Sequence, residues 1–252
     1  MIEVRNLGKN YGTKTVLQAV DLVVPEKQIV SFIGANGAGK STLLSIIARL
    51  MKADSGEVLV DGVALGDWKS DDLAKRLSIL KQSNHVTMRL TVRDLVAFGR
   101  FPHSKGRLQK ADEAFIEMAL DYMELQDLAS RYLDELSGGQ QQRAYIAMII
   151  AQDTDYILLD EPLNNLDMKH SVQMMQLLRR LVDELGKTVL LVLHDINFAS
   201  CYSDTIVALK NGAVVANGRT ENIIQEDVLV RVFDMLIPIS LINNDRIGVY
   251  FK

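Results

Sequence analysis

One stretch constrains this chain more than any other: Gly34-Ala35-Asn36-Gly37-Ala38-Gly39-Lys40-Ser41-Thr42. From Gly34 to Ser41 it fits G-x-x-x-x-G-K-[ST], a loop whose backbone N–H groups wrap around phosphates. The apolar run Ile29–Ile33 leads in and reads as a buried strand, and Leu43–Ala48 follows and reads as a helix. That strand–loop–helix context is what the pattern requires, because the new helix adds its positive N-terminal end to the loop. Lys40 is then expected on the β- and γ-phosphates and the Ser41 hydroxyl on Mg²⁺. Gly34, Asn36, Gly37, Ala38, Gly39 and Thr42 complete the nucleotide-binding set. A plain glycine turn ending in a surface lysine would not need those flanks.

A loop of this kind needs a large α/β core, and 252 residues, 48% of them hydrophobic, suffice for one such domain or for one with an inserted subdomain. The formal net charge of −4 supplies no overall basic field for nucleic acid. The single cysteine, Cys201, excludes an internal disulfide and a multi-cysteine metal site, which suits a reducing compartment. There is no run of about 18 apolar residues to span a membrane. Met1-Ile2-Glu3-Val4-Arg5 lacks the regions of a signal peptide, so a cytoplasmic chain is expected.

Periodicity and turn chemistry predict strands over 2–6, 16–24 and 28–33, then helix 40–51 and strand Glu57–Asp61 with a hairpin signal at Asp61-Gly62. A helix near 70–76 precedes the apolar strand Leu77–Leu80, with Gln82 just past its end. From about 83 to 152 the pattern turns helical: Thr91 opens a helix with a capping-box-like start, Gly99–Arg107 reads as a break, and 109–124 and 126–131 read as helices. A helix over 140–152 follows Leu136-Ser137-Gly138-Gly139-Gln140. Strand Tyr156–Leu159 ends at Asp160-Glu161-Pro162, helix 168–185 stops at Gly186, and strand 188–193 ends at His194-Asp195. Strands 205–209 and 213–216 flank Asn211-Gly212, helix 220–235 follows, and 239–242 with 247–251 close the chain as a hairpin. Strands alternating with helices favour a largely parallel sheet, and the end hairpins add antiparallel strands.

Four apolar residues followed by Asp-Glu place two carboxylates at the end of a buried strand, where ligands of α/β sheets bind. Asp160 is the expected metal-side acid and Glu161 the base for an attacking water. Ser137 is a natural helix cap, two glycines let a ligand approach the backbone, and the helix end that follows favours an anion. His194, at another strand end, is placed to donate to a γ-phosphate.

Tyr11, the 34–42 loop, Gln82, Leu136–Gln140, Tyr156–Glu161, 164–167 and His194 stand in the order and spacing of ABC-transporter ATPase subunits, a family the chain resembles over essentially its whole length. The resemblance implies an α/β P-loop NTPase cassette with a RecA-like core at 1–82 and 153–252, antiparallel β additions, and a helical subdomain at about 83–152 that carries the signature motif. It implies ATP and Mg²⁺ as ligands, with Tyr11 stacked on adenine and Gln82 linking the metal to the helical subdomain. It implies a head-to-tail pair of cassettes in which Ser137, Gly138, Gly139 and Gln140 of one chain face the nucleotide on the other, and Asp167 ends the loop that crosses over. Transmembrane permease subunits, an extracytoplasmic substrate-binding protein acting indirectly, and a place on the cytoplasmic face of the membrane also follow from the resemblance. Asn164-Asn165-Leu166-Asp167 departs from the commoner Ser-Ala-Leu-Asp, so no role is assigned to Asn164 or Asn165.

A narrower resemblance, to ATPases of iron–siderophore importers, rests on Phe98–His103, Glu161–His170 and the short C-terminal tail. Vitamin B12 and haem importers share this architecture, and soluble cassettes acting on ribosomes or DNA are the alternative class. The resemblance implies that a permease helix docks between core and helical subdomain. Val86, Met88, Leu90 and Phe101 are the expected apolar anchors, with Arg89, Arg100 and His103 as a basic rim.

Overall fold

The computed structural model describes residues 1–82, 88–164 and 166–251. Of the residues discussed above, Val86 and Asn165 lie outside the described set. The chain divides into two compact units, residues 1–68 with 188–252, and residues 69–187.

The first unit begins with β1 (Ile2–Tyr11) and β2 (Lys14–Val24), an antiparallel pair. Both run longer than the alternation of their side chains suggests, because β1 absorbs register shifts between Val4 and Asn10, with Asn6 at φ 47°. β3 (Ile29–Ile33) is wholly buried, as a continuous apolar run predicts. The phosphate loop then leads into α1 (Lys40–Ile47), which is shorter than the 40–51 expected. It stops because Arg49 takes a left-handed φ of 58°. β4 (Ser55–Val60) pairs with β1 and, through the Asp61-Gly62 turn, with β5 (Val63–Ala64), giving an antiparallel sheet ordered β2-β1-β4-β5.

The second unit carries α2 (Ser70–Leu73) and β6 (Leu77–Leu80), then α3 (Val92–Phe98), α4 (Phe101–Ser104), α5 (Lys110–Tyr122) and α6 (Gly138–Ala151). β7 (Tyr156–Asp160) lies parallel to β6, and α7 (Met168–Leu185) follows. The region expected to be a break at 99–107 contains α4, started by Pro102 in its first turn and ended by Lys105 at φ 53°. Helix α7 matches its expected bounds. Asp167 caps its start, and Gly186, at φ 62°, ends it by donating its N–H to Val182, while Lys187 donates to Leu181.

The corner between α3 and α4 grips the end of α6. A Cβ on Gly99 would lie 2.0 Å from the Met148 carbonyl oxygen, so only glycine lets the two helices approach this closely. Arg100 is 4% exposed. Its Nη1 donates to the Ala151 carbonyl at 2.8 Å, its Nε to Asp112 Oδ1 at 2.9 Å, and its guanidinium stacks 4.1 Å from the Phe115 ring centroid. His103 Nε2 lies 3.0 Å from the Gln152 carbonyl. Arg100 is therefore not part of an exposed basic rim: its charge is spent inside this unit. Met88 and Phe101 remain exposed, at 62% and 57%.

The first unit resumes at β8 (Thr188–Val192), α8 (Ile196–Tyr202), β9 (Thr205–Lys210) and β10 (Ala213–Arg219). β3 lies between β8 and β9, parallel to both, and β10 runs antiparallel to β9. Helix 220–235 is in fact two, α9 (Thr220–Ile223) and α10 (Glu226–Phe233), because Ile224 and Gln225 leave helical geometry. The last hairpin pairs β11 (Ile239–Ile242) with β12 (Asp245–Gly248). It is tighter than expected because Asn243 and Asn244, at φ 52° and 71°, form a two-residue turn. Among the described residues no helix is long and apolar enough to cross a membrane.

Candidate functional site

The first unit holds the phosphate loop, and its shape follows from three glycines. Gly34, Gly37 and Gly39 have φ of 140°, 78° and 103°, conformations that L side chains rarely adopt. A Cβ on Gly34 would sit 2.1 Å from the Leu209 carbonyl oxygen, and one on Gly39 would meet Leu17 Cδ2 at 2.7 Å and the Val16 oxygen at 2.8 Å. At Gly37 nothing lies within 4 Å, so the backbone there is open to a ligand. The β9–β10 turn braces the loop from behind: Gly212 donates its N–H to the Ala38 carbonyl and accepts from Gln18 N–H.

Lys40 opens α1 and is buried. Its Nζ donates to the Gly34 carbonyl at 2.8 Å and the Ala35 carbonyl at 3.1 Å, which holds an ammonium at a helix N-terminus. An anion is the complement to that arrangement. Ser41 and Thr42 follow Lys40 in the first turn of α1, and Asn36 is exposed on the loop. Tyr11 closes β1 at 49% exposure, with its hydroxyl donating to Met51 Sδ at 3.0 Å. His194 lies exposed just past β8, and Asp195 beside it caps α8 through the N–H groups of Asn197 and Phe198.

In the second unit the buried β7 delivers Asp160 and then Glu161, both partly exposed. Glu161 takes a left-handed φ of 52°, uncommon for a glutamate. Gln82 Nε2 donates to Glu161 Oε2 at 2.6 Å, so two residues predicted separately are in direct contact. Asn164 Nδ2 donates to the same oxygen, and the Asn164 N–H closes a turn onto the Glu161 carbonyl at 3.2 Å. Sequence reasoning missed Asn164. The only signal was its departure from Ser-Ala-Leu-Asp.

Ser137 is the N-cap of α6, as expected: its Oγ accepts from Gln140 N–H at 3.3 Å, and Gln140 Oε1 accepts from Ser137 N–H at 3.0 Å. The helix begins at Gly138, two residues earlier than expected. A Cβ on Gly139 would meet only ordinary contacts, at 3.5 Å to His170 and Leu166. Asp167 Oδ1 accepts from His170 N–H at 2.9 Å and lies 2.8 Å from His170 Nδ1. These bonds, the backbone one foremost, hold its carboxyl below the usual carboxylate range.

Comparison with known proteins agrees with this geometry. The ABC transporter family model matches residues 17–164. The petrobactin import ATP-binding protein YclP of Bacillus subtilis (strain 168) is 61% identical over 252 residues, covering all of both chains. The petrobactin import ATP-binding protein FatE of Bacillus anthracis is 52% identical, over 99% of this chain and all of its own. Among solved structures, a dimeric post-hydrolysis state of the ATP-binding cassette MJ0796 bound to ADP and Pi superposes with a TM-score of 0.77 at 33% identity, covering 87% of this chain and 99% of that one. A candidate metal-chelate type ABC transporter in an inward-facing conformation gives 0.84 at 26% identity, covering 99% and 97%. The phosphate loop, the strand-end carboxylates and the capped 137–140 helix thus sit in a chain that belongs to the ABC transporter family, as one of its nucleotide-binding ATPase cassettes.

Proposed function

We propose that this chain hydrolyses ATP to power a membrane importer of ferric siderophores, with petrobactin as the first cargo to test. The observation that carries the cargo is the end-to-end match to two petrobactin import ATP-binding proteins. In this reading Tyr11 stacks on adenine, the 34–42 loop binds the phosphates, and Lys40 and His194 neutralise charge developing on the γ-phosphoryl group. Glu161 takes the proton of the attacking water as its oxygen bonds to phosphorus and the bond to ADP breaks. The oxygens of Ser41, Asp160 and Gln82 suit Mg²⁺, which would supply Lewis-acid stabilisation of the phosphates. Among the described residues no group of three or more His, Cys, Asp or Glu forms a cage, and a Mg²⁺ held with nucleotide phosphates needs none.

We assign Ser137, Gly138, Gly139, Gln140 and Asp167 to the nucleotide of a second copy in a head-to-tail dimer. Gly139 supports this, since nothing in its own chain forbids a Cβ there. Residues 1–82 and 153–252 act as the catalytic core and about 83–152 as the helical subdomain. Permease subunits supply the membrane path, a substrate-binding protein contributes from outside, and the chain works at the cytoplasmic face. The test is uptake of radio-iron-labelled petrobactin in cells lacking this chain. Uptake should fall and return with the wild type but not with Glu161→Gln. Loss of vitamin B12 or haem uptake instead, with petrobactin uptake intact, overturns the cargo. Purified Glu161→Gln should bind ATP, lose about 10²–10⁴-fold in hydrolysis, and elute as a dimer with ATP.

A further inference from the structure

We infer that Asn164 is a positioning residue for the general base, clamping one oxygen of the Glu161 carboxylate together with Gln82. The inference rests on the assignment of Glu161 as base. Two amide donors from different segments meet on Oε2: Gln82, just past β6, and Asn164, in the turn after β7. Glu161 leaves β7 in the left-handed region, which swings the following residues back over its own side chain. The 3.2 Å bond from Asn164 N–H to the Glu161 carbonyl fixes that turn, and Pro162 is buried within it. Leu166 N–H then bonds the Leu163 carbonyl, and Asp167 caps α7. The side chain of the base is therefore tied through Asn164 to the same short segment that ends at Asp167. With Oε2 held by two amides, the carboxylate cannot spin freely about its last bond, so the base is fixed in one orientation. Serine or alanine at this position offers no amide to hold it.

The chemistry gives an ordering that a mere turn residue would not. Aspartate is as good a turn former as asparagine, yet it sets a like charge against Glu161 and removes the donor. Asn164→Ala should lower kcat for ATP hydrolysis about tenfold, the scale of losing one hydrogen bond to a charged group, with KM for ATP within about twofold. Asn164→Asp should fall further, and Asn164→Gln, which keeps the amide, should recover part of the loss. Asn164 is exposed, so all three variants are expected to fold; melting temperature and nucleotide binding check this. In a Glu161→Gln background the Asn164→Ala change should cost nothing more. If Glu161→Gln slows hydrolysis but Asn164→Asp is as active as Asn164→Ala or better, the positioning role is overturned alone. If Glu161→Gln hydrolyses ATP normally, the assignment of the base falls and this inference with it.

Discussion

Replacing Arg100 by Ala tests how the helical part of the second unit is held together. The side chain is 4% exposed and its partner Asp112 5%, so the pair is desolvated on both sides. Removing the guanidinium leaves a buried carboxylate that keeps the Gln109 N–H, at 2.9 Å, but no longer faces a cation. Breaking a buried pair from one side costs about 3–5 kcal/mol. The Ala151 carbonyl also loses its donor, about 1–3 kcal/mol if it stays dry, and the contact with Phe115 contributes about 0.5–2 kcal/mol. These share one side chain and do not add, so the expected loss stays about 3–5 kcal/mol. At roughly 2–4 °C per kcal/mol for a chain of this length, the melting temperature should fall by about 6–20 °C. Far-UV circular dichroism during urea and thermal unfolding reads both. Arg100→Met with Asp112→Leu should regain part of the loss, since an apolar pair of similar volume removes the buried charges together but also takes the acceptor from the Gln109 N–H. Acid adds a check on sign. Asp112 is held below the usual carboxylate range, first by the Gln109 N–H and then by Arg100. Its contribution is complete above the ordinary value of about 3.9 and is lost as pH falls through the lower folded-state value, so the wild type should lose more stability than Arg100→Ala on acidification. A loss below about 1 kcal/mol for Arg100→Ala, the range of an exposed pair, would refute the reasoning.

Lys40→Ala should abolish hydrolysis and weaken nucleotide binding by about 1.5–3 kcal/mol; titration with a fluorescent nucleotide and a phosphate-release assay measure the two. His194→Ala should reduce turnover more than ATP affinity, because an exposed imidazole has little packing to lose; a lowered melting temperature with unchanged turnover per folded molecule would make it structural. Met88→Glu should leave basal hydrolysis and ATP-driven dimerisation intact but reduce recovery of the permease in a pull-down, since a carboxylate would be buried at the contact. Equal recovery would remove Met88 from the docking surface.

Much of this was readable from residue order alone, for local reasons. β3 is a continuous apolar run, α7 lies between an Asp cap and a Gly stop, and Ser137 and Thr91 carry capping boxes, all of them short-range signals. What escaped had causes outside the window of a pattern. Helix α8 hides after a strand end, and only the cap at Asp195 announces it. Helix α4 forms in a stretch punctuated by Gly and Pro, where Arg100 and His103 fasten it to the end of α6. The bond from Asn164 to Glu161 depends on a left-handed glutamate, and nothing in glutamate's preferences forewarns of one. Arg100 looked like a surface cation because a single sequence does not show that Asp112 and Phe115 wait for it.

The Asn211-Gly212 turn has a practical bearing on how this protein can be labelled. Hairpin tips are the usual places to graft an epitope or a fluorophore-bearing peptide. This one is a poor host: Gly212 is bonded to Ala38 on one side and Gln18 on the other, and a Cβ there would strike the Val16 carbonyl oxygen at 2.5 Å. A graft at 211–212 would splay the 34–42 loop from the back, and its carriers are expected to score as null alleles though the tag lies outside the proposed nucleotide site. The Asn243-Asn244 tip is exposed and turns in two residues. A tag placed there should report on the protein without silencing it.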